Sequence, residues 1–267
     1  MKKIEAIISD ADGTLVDTVG LIRHGQYETA KTYLTKHGIP KDEIPEYEAY
    51  EIHLNQSVGG ATRDTLERTV RLLYADSPHH LVGMNFDELN DMLNPVQDGI
   101  ASEFVSAYEG LSHTLFALGR AGIKLAIFTS GTPHHVVRNF GIALPELGLS
   151  DLYKDKTKTD DEKLNIFTDT ASSTYDIPGF TVITANDTQL HKPNPAPLLL
   201  AMERLGVTPD TSIVLGDHRG DMETAVNAGV SVRIGITHGF DNRETLTKSG
   251  ATHVIDSLDE LTHTLGI

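Results

Sequence analysis

Two carboxylates, Asp10 and Asp12, stand one residue apart directly after the apolar run from Ile4 to Ser9. In an extended segment the side chains at positions i and i+2 point the same way, so both carboxylates can face one crevice. Carboxylates this close repel each other, and the repulsion favours a bound cation. Gly13 permits a sharp exit from the strand. An ordinary strand followed by an Asp/Gly turn has the same pattern, so this segment needs support from the rest of the chain.

Hydroxyl groups follow a second apolar run, residues 124–128. Thr129 and Ser130 come directly after it and just before Thr132 and Pro133. Thr is a favoured N-cap residue and Pro a favoured first helical residue, so this segment predicts the start of a helix. Hydroxyls and free backbone N–H groups at a helix start can bind an anion, although an ordinary capped helix begins in the same way.

A lysine and two further carboxylates follow the next two apolar runs. Lys192 precedes prolines at 193, 195 and 197, which fix the backbone just before a predicted helix. Asp217 and Asp221 follow the run from Ser212 to Leu215. Taken singly, Lys192 is typical of a solvated side chain in a rigid loop, and Asp221 of an acid at a helix N-terminus. Because the carboxyl ends of parallel strands meet at one edge, four such strand ends predict one shared site.

The elements that must carry these residues are short apolar strands separated by helical patterns. The predicted strands are Ile4–Ser9, Lys124–Phe128, Thr181–Thr184, Ser212–Leu215, Val230–Ile234 and a weaker His253–Ile255. Helical patterns that end at a glycine lie between them, over Leu111–Arg120, Pro197–Leu205 and Met222–Ala228. This alternation predicts an α/β fold in which a parallel sheet is covered by helices on both faces.

The interval between the first two strands is too long for one crossover helix. Four helical patterns fill it and predict a helical insert beside the sheet, over Thr18–His37, Ile44–Asn55, Thr62–Tyr74 and Phe86–Tyr108. A second long interval, Leu149 to Gly179, is polar and rich in acids and lysines. We expect it to be an irregular surface excursion.

Composition excludes several classes of protein. The 22 Lys and Arg against 38 Asp and Glu give a net charge of −16, which argues against nucleic acid and anionic membranes as partners. Without any Cys, disulfides, thiol catalysis and Cys-ligated metal sites are excluded. The N-terminal segment lacks the apolar region of a secretory signal, and no apolar run is long enough to span a membrane. A cytoplasmic protein is therefore expected.

Together these segments resemble the motifs of the haloacid dehalogenase-like superfamily, in order and over the whole chain. The motifs are matched by residues 8–18 (ISDADGTLVDT), by Thr129, by Lys192-Pro193-Asn194-Pro195, and by Gly216-Asp217 through Asp221. The chain is most similar to the phosphoglycolate phosphatase and β-phosphoglucomutase-like branch. This resemblance implies a Rossmann-like core, residues 1–15 and 109–267, with an inserted α-helical cap domain, residues 16–108.

The resemblance also implies a covalent mechanism of phosphoryl transfer. Asp10 would be the nucleophile that becomes an aspartyl phosphate. Asp12 would protonate the leaving oxygen and then activate water. The implied cofactor is Mg2+, held by Asp10, the backbone carbonyl of Asp12 and Asp217, with Asp221 as a further ligand or a partner of one.

The remaining matched residues would bind the phosphate itself. Thr129, the Ser130 backbone N–H and Lys192 would hold its oxygens and offset the developing charge. An Asp at position 12 favours P–O cleavage, because dehalogenase branches lack it and the phosphonate-cleaving branch has Ala there. The expected function is a Mg2+-dependent phosphatase acting on a small phosphorylated metabolite. A phosphomutase of the β-phosphoglucomutase type requires the same residues, and a non-catalytic binding protein of this fold is a third possibility.

Substrate selection is expected from the cap, where Asn55 to Arg63 forms a Gly-rich turn between two predicted helices. Arg63 could bind a carboxylate or a second phosphate, although a surface Arg in a first helical turn accounts for it slightly better. His24 and His53 could also face the site, but a lone His is more often structural.

The thirteen histidines do not predict a metal site, since adjacent pairs such as His79-His80 point in different directions on a helix. Two features depart from the family pattern: Ser9 replaces a frequent aromatic residue, and the 149–179 interval is long. That interval could form a partner or dimer surface, and either a monomer or a homodimer is expected.

Overall fold

The computed structural model describes residues 3–57 and 62–267 of the chain. The chain folds as two compact units, Met1–Asp17 with Val105–Ile267 and Thr18–Phe104. The first unit contains a parallel sheet flanked by helices, and the second is helical. Among the described residues, no helix combines the length and the apolar character needed to cross a bilayer.

Six parallel strands form the sheet of the first unit, in the order β5-β4-β1-β6-β7-β8. They are β1 (Ala6–Ser9), β4 (Lys124–Phe128), β5 (Phe180–Ile183), β6 (Ser212–Gly216), β7 (Val232–Ile236) and β8 (His253–Ile255). The predicted α/β class and all six predicted strands are confirmed, with ends shifted by two residues or fewer. A separate antiparallel pair, β2 (Val16–Asp17) and β3 (Ser106–Ala107), lies where the chain leaves and re-enters this unit.

Helices follow most strands, as a parallel sheet requires. Those of the first unit are α6 (Leu111–Ala121), α7 (Pro133–Ala143), α8 (Asp160–Tyr175), α9 (Ala196–Leu205), α10 (Arg219–Asn227), α11 (Arg243–Lys248) and α12 (Leu258–Leu265). Those of the second unit are α1 (Val19–Lys36), α2 (Tyr47–Ser57), α3 (Thr62–Leu73), α4 (Phe86–Asp91) and α5 (Leu93–Phe104). Short 3-10 turns at Lys41–Glu43, Pro78–Leu81, Pro145–Leu147, Leu152–Lys154 and Pro209–Thr211 complete the connections.

The strand register brings the predicted site segments to one edge. Ser9, the last residue of β1, pairs with Ile127 of β4 and with Leu215 of β6. Phe128 of β4 pairs in turn with Ile183 of β5. The loops after β1, β4, β5 and β6 therefore leave the sheet at the same level, where open parallel sheets place their ligands.

Alternating side chains build a core on each face of the sheet. On one face Ile8, Phe128 and Val214 pack with Leu198 of α9 and Ala225 of α10, all of them buried. On the opposite face a cluster of apolar side chains joins β4 to α6, α7 and α8, and it includes Leu115, Leu125, Ile127, Phe140, Phe167 and Tyr175. Burial on both faces explains why these strands are continuous apolar runs.

The second unit has its own apolar core. Buried aromatic and aliphatic side chains from α1, α2, α3, α4 and the turn after α3 form it: Tyr27, Ala30, Tyr33, Leu34, Tyr50, Leu54, Leu66, Val70, Tyr74 and Leu89. These residues recur at intervals of three and four positions, which gives each helix one buried face.

The predicted single helix from Phe86 to Tyr108 is wrong. The structure breaks it after Asp91 into α4 and α5, and α5 ends at Phe104. Pro95 explains the break, because a proline ring inside one long helix would clash with the carbonyl of Asp91, four residues earlier. At the third position of a new helix its missing N–H costs nothing, since first-turn N–H groups have no partner within the helix.

The expectation of an irregular excursion over Leu149 to Gly179 is also wrong. Residues Asp160–Tyr175 form the sixteen-residue helix α8. Thr159 caps it: Glu162 N donates to Thr159 Oγ1 (3.2 Å), and Thr159 N donates to Glu162 Oε2 (2.7 Å). Phe167 and Ala171 are buried against the sheet, spaced by one helical turn. The sequence did not predict α8 because the segment is mostly polar and the apolar face of the helix is narrow.

Candidate active site

A buried lysine links two of the predicted carboxylates. Lys192 Nζ donates to Asp10 Oδ1 (2.7 Å) and to Asp221 Oδ1 (2.7 Å). The same Nζ lies 3.9 Å from the centre of the Phe128 ring. All three charged side chains are almost completely shielded from solvent. Four strand ends, those of β1, β4, β5 and β6, thus supply residues to one point.

Three carboxylates gather beside this lysine. One oxygen from each of Asp10, Asp217 and Asp221 lies within 4.8 Å of the others, and all three residues are buried. Carboxylate oxygens are the donors that hard divalent cations such as Mg2+ prefer. One lysine balances only one of three buried negative charges, so the donor set fits a metal ion.

The shifted pKa values of these side chains reflect the excess of negative over positive charge in the cluster. Burial raises the pKa of the Asp10 carboxyl to about 6; the Lys192 ammonium opposes the rise and Asp221 adds to it. Burial, with repulsion from Asp10 and Asp221, holds the pKa of Asp217 well above its ordinary value. Burial disfavours the charged form of Lys192, but Asp10 and Asp221 outweigh it and raise its pKa. A bound cation would replace the protons that the carboxylates otherwise retain.

Asp12 occupies a different environment from Asp10. Its half-buried carboxylate lies outside the three-carboxylate cluster and accepts hydrogen bonds from Asn139 Nδ2 (2.8 Å) and Thr129 Oγ1 (3.4 Å). Thr129 Oγ1 also accepts a bond from Gly131 N (2.9 Å). Asn139 and Thr129 thus orient this carboxyl toward the segment after β4, at a position where it could exchange a proton with a bound group.

The segment after β4 has the predicted form. Thr129 N donates to Ile183 O (2.9 Å), which ties the strand end to β5. Ser130 follows and is half-buried, and α7 begins at Pro133 after the N-cap Thr132, as predicted. The structure therefore brings Thr129 next to Asp12, and Ser130 is the residue that follows Thr129.

Two of the residues predicted in the second unit, Arg63 and His24, have local partners. Arg63 Nη2 donates to Asp87 Oδ1 (2.5 Å), and both side chains are exposed, so a surface ion pair accounts for this arginine. Residues 58–61 of the predicted Gly-rich turn lie outside the described residues. His24 stacks between Tyr47 and Phe104, with ring centres 4.5 and 4.6 Å away, so it has a packing role.

Sequence reasoning missed the residues that orient Asp217. Thr14 Oγ1 donates to Asp217 Oδ1 (2.5 Å), and Phe240 N donates to Asp217 Oδ2 (2.8 Å). Asp241 N donates to the backbone oxygen of Asp217 (3.1 Å). Asp241 is itself held by Arg219, whose Nε and Nη2 donate to it at 3.0 and 2.6 Å. The loop 237–242 could have been identified as part of the site, because it follows another parallel strand, β7.

A family comparison identifies the class of this site. The model of the haloacid dehalogenase-like hydrolase family matches residues 4–229. The chain belongs to this family of hydrolases, which confirms the resemblance seen in the motifs.

Individual relatives differ in how much of the chain they match. The pyrophosphatase PpaX of Bacillus velezensis is 26% identical over 269 aligned residues, which span 100% of this chain and 98% of that protein. The phosphoglycolate phosphatase of Salmonella paratyphi A is 38% identical over 86 residues, 32% of this chain and 34% of that protein.

Solved structures share the fold along the full length. A protein described as a phosphoglycolate phosphatase from Haemophilus somnus superposes with a TM-score of 0.72 at 19% identity, covering 99% of both chains. One described as a β-phosphoglucomutase from Thermotoga maritima gives a TM-score of 0.64 at 19% identity, covering 98% of this chain and 99% of that one. At these identities the likeness establishes the fold alone.

Proposed function

We propose that this protein is a Mg2+-dependent phosphatase that hydrolyses a small phosphorylated metabolite through an aspartyl-phosphate intermediate on Asp10. The observation that carries the proposal is the contrast between two neighbouring carboxyls. Asp10 is buried between Lys192 and two further carboxylates, whereas Asp12 lies outside that cluster and accepts hydrogen bonds from Asn139 and Thr129. One is arranged to be an ionised nucleophile near a cation, and the other to transfer a proton.

Asp10, Asp217 and Asp221 would hold the Mg2+ ion, with the backbone carbonyl of Asp12. When bound, the ion supplies positive charge that lets an anionic phosphate approach an anionic carboxylate. Thr14 and Phe240 N fix both oxygens of Asp217, so this ligand is oriented before the ion arrives. Lys192 favours the ionised form of Asp10 and directs one of its oxygens.

The chain's own residues then account for two chemical steps. In the first, an Asp10 oxygen attacks phosphorus, the bond to the leaving oxygen breaks, and Asp12 donates its proton to that oxygen. In the second, Asp12 removes a proton from water, the water oxygen attacks phosphorus, and the Asp10–phosphorus bond breaks. Free phosphate is released and Asp12 regains its proton. Thr129, Lys192 and the Ser130 N–H offset the charge on the phosphate oxygens.

The substrate class rests on the named relatives and on the site chemistry. Relatives are named as a pyrophosphatase and as phosphoglycolate phosphatases, whose names both specify small anionic phosphate compounds. We place inorganic pyrophosphate, 2-phosphoglycolate and small sugar phosphates first among candidate substrates. The helical unit, residues 18–104, would supply the selectivity among them.

The test is phosphate release from p-nitrophenyl phosphate and from a panel of phosphorylated metabolites, with Mg2+ and with a chelator. We expect Asp10→Asn to lower turnover by at least about a thousandfold. Asp161→Asn, an exposed change on α8, is the matched control and should leave turnover unchanged. Full turnover by Asp10→Asn would refute the mechanism. Little free phosphate together with a requirement for a bisphosphate primer would assign the site to a phosphomutase instead.

A further inference from the structure

A second cluster of metal-ligating side chains lies in the helical unit, away from the carboxylates described above. Glu43, His79 and His80 each offer one ligand atom, and these atoms lie within 4.8 Å of one another. Glu43 ends the 3-10 turn Lys41–Glu43, and both histidines lie in the 3-10 turn Pro78–Leu81. We propose that these three side chains form a binding site for a transition-metal ion of the Zn2+ class.

The two histidines meet in spite of their adjacency in sequence. Their ring centres are 4.0 Å apart, so the expectation that His79 and His80 diverge is wrong. That expectation assumed an α-helix. In the short 3-10 turn, hydrogen bonds from His80 N to Ser77 O and from Val82 N to His79 O set a tighter geometry. Both rings end on the side of the turn that faces Glu43.

His80 is the fixed member of the set. Its Nε2 lies 2.7 Å from Glu43 Oε2, and its side chain is only 11% exposed. The Tyr74 ring packs 5.2 Å from the His80 ring, and the Tyr74 hydroxyl donates to the backbone oxygen of Glu43 (3.1 Å). The aromatic side chain therefore holds both turns together and keeps one imidazole in place.

The other two ligands are free to adjust. Donor atoms around a tetrahedral zinc lie about 3.4 Å apart, because each stands about 2.1 Å from the ion. Glu43 and His79 are exposed, so small side-chain rotations can reduce their present spacing to this value. Three protein ligands leave a fourth position for water.

The ligand types select the class of metal. Two imidazole nitrogens and one carboxylate favour Zn2+, Cu2+, Ni2+ or Co2+ over Mg2+, which prefers oxygen donors alone. The net charge of −16 favours any cation near the surface. A bound ion would link the 3-10 turn that precedes α2 in the chain to the 3-10 turn that follows α3, and so would stabilise the helical unit. This inference is independent of the proposed phosphatase activity.

The experiment is calorimetric titration of the full chain with Zn2+ in excess Mg2+, repeated in the Asp217→Asn variant to separate binding at the carboxylate cluster. We expect one zinc equivalent that His79→Ala, His80→Ala and Glu43→Gln each weaken by at least about tenfold. Zn2+ should also raise the thermal unfolding temperature of the wild type and of Asp217→Asn, but not of the His79→Ala/His80→Ala double variant.

The matched control is His37→Ala, which removes a histidine of the same unit that lies 3.5 Å from a single carboxylate, Glu88. It should leave zinc stoichiometry and affinity unchanged. Because His79 is exposed, His79→Ala should keep its metal-free unfolding temperature, which separates loss of binding from loss of folding. Equal zinc binding by the wild type and the double variant would overturn the proposal and leave His80 and Glu43 as an ordinary hydrogen-bonded pair.

Discussion

Asn139 fixes the carboxyl that the proposed mechanism uses for proton transfer. Its Nδ2 donates to Asp12 Oδ1 (2.8 Å), while its Oδ1 accepts a bond from Arg138 Nε (3.0 Å). Both Asn139 and Arg138 are buried in α7, so the amide has a defined orientation. Asn139 would act through the orientation of Asp12, and this makes it a positioning residue rather than a catalytic one.

Replacing this amide should reduce the chemical step more than substrate binding. We expect Asn139→Ala to lower kcat by about tenfold to a hundredfold with little change in KM. Asn139→Asp keeps the shape but places a second carboxyl beside Asp12, which raises the pKa of Asp12 and should shift the rate–pH profile to higher pH. Asn165→Ala, an exposed change on α8, is the control. An unchanged kcat in Asn139→Ala would remove Asn139 from the mechanism.

Gly239 marks how closely the loop after β7 approaches a metal ligand. A Cβ atom at this position would lie 2.0 Å from Asp217 Oδ2 and 2.5 Å from the backbone oxygen of Gly13. We expect Gly239→Ala to displace the Asp217 carboxylate and to weaken Mg2+ binding by about tenfold or more, measured by calorimetry. Gly99→Ala in α5 meets no atom within 4 Å and should leave Mg2+ affinity unchanged. Equal Mg2+ affinity in both variants would contradict this role.

Residue types and positions in the sequence predicted which residues gather at the candidate site, but they did not predict many of the contacts between those residues. Asp10, Lys192, Asp217 and Asp221 each follow an apolar run, and the sheet brings them together. Asn139 and Thr14 could not be found in this way, because their types are common and their roles depend on contacts between distant segments. The His79–His80 contact was missed because adjacent residues were given α-helical geometry.

Helix α8 shows how an element can be hidden by its composition. Its first turn holds Asp160, Asp161 and Glu162, where negative charge favours a helix N-terminus. At the C-terminal end of α8, Gly119 of α6 lies so near that a Cβ atom at position 119 would be 1.9 Å from Tyr175 O. The helix is therefore part of the packed core and not an appendage of the surface.

The cap of α8 gives an element-scale test of this role. We expect Thr159→Ala to lower the free energy of unfolding by about 1 kcal/mol, because the Thr159 hydroxyl loses its bond from Glu162 N and its bond to Glu162 Oε2 (3.0 Å) at the first turn. Denaturant unfolding would measure the loss. Ser173→Ala, an exposed change inside the same helix, should have a much smaller effect. If both variants had the same stability, the cap would not contribute to folding.

Elements with strong periodicity were predictable, and those set by tertiary contacts were not. The six parallel strands are apolar and buried on both faces, so their positions were evident from the sequence. Strands β2 and β3 have only two residues each, and each exists only through pairing with the other, about ninety positions away in the chain. The break between α4 and α5 depends on Pro95, which the apolar pattern alone did not register.

On the scale of the whole molecule, the net charge of −16 and the proposed binding of phosphate are compatible. Three buried carboxylates and one lysine are concentrated at the active site, where a divalent cation would reverse the local sign. We therefore expect the candidate site to attract anions only when metal is bound, and activity to be lost completely with a chelator.

The raised pKa values predict how stability depends on pH. The Asp10 pKa rises from 3.8 to about 6 on folding, and that of Asp217 also rises, so the folded state binds more protons than the unfolded chain. In the metal-free protein this contribution favours folding at low pH and is lost as pH rises through about 6. Mg2+ at the proposed site would bind the ionised cluster, so its stabilisation should increase from about pH 5 to about pH 7.5.

Thermal unfolding with a chelator and with Mg2+ across this range is the measurement, and the difference between the two curves isolates the cluster from other titrating groups. We expect that difference to be small in Asp217→Asn at every pH. A Mg2+ effect of equal size at both ends of the range would show that the carboxylates are ionised without metal.

The central place of β1 in the sheet has a consequence for synthesis of the protein. The partners of Ser9, Ile127 and Leu215, are translated more than one hundred and more than two hundred residues after it. The helical unit, residues 18–104, is contiguous and is translated in between. A nascent chain therefore carries Asp10, the proposed nucleophile, long before Asp217 and Asp221 exist. We expect hydrolytic activity to begin only when translation has passed β6, so that prematurely terminated chains that lack it are inert.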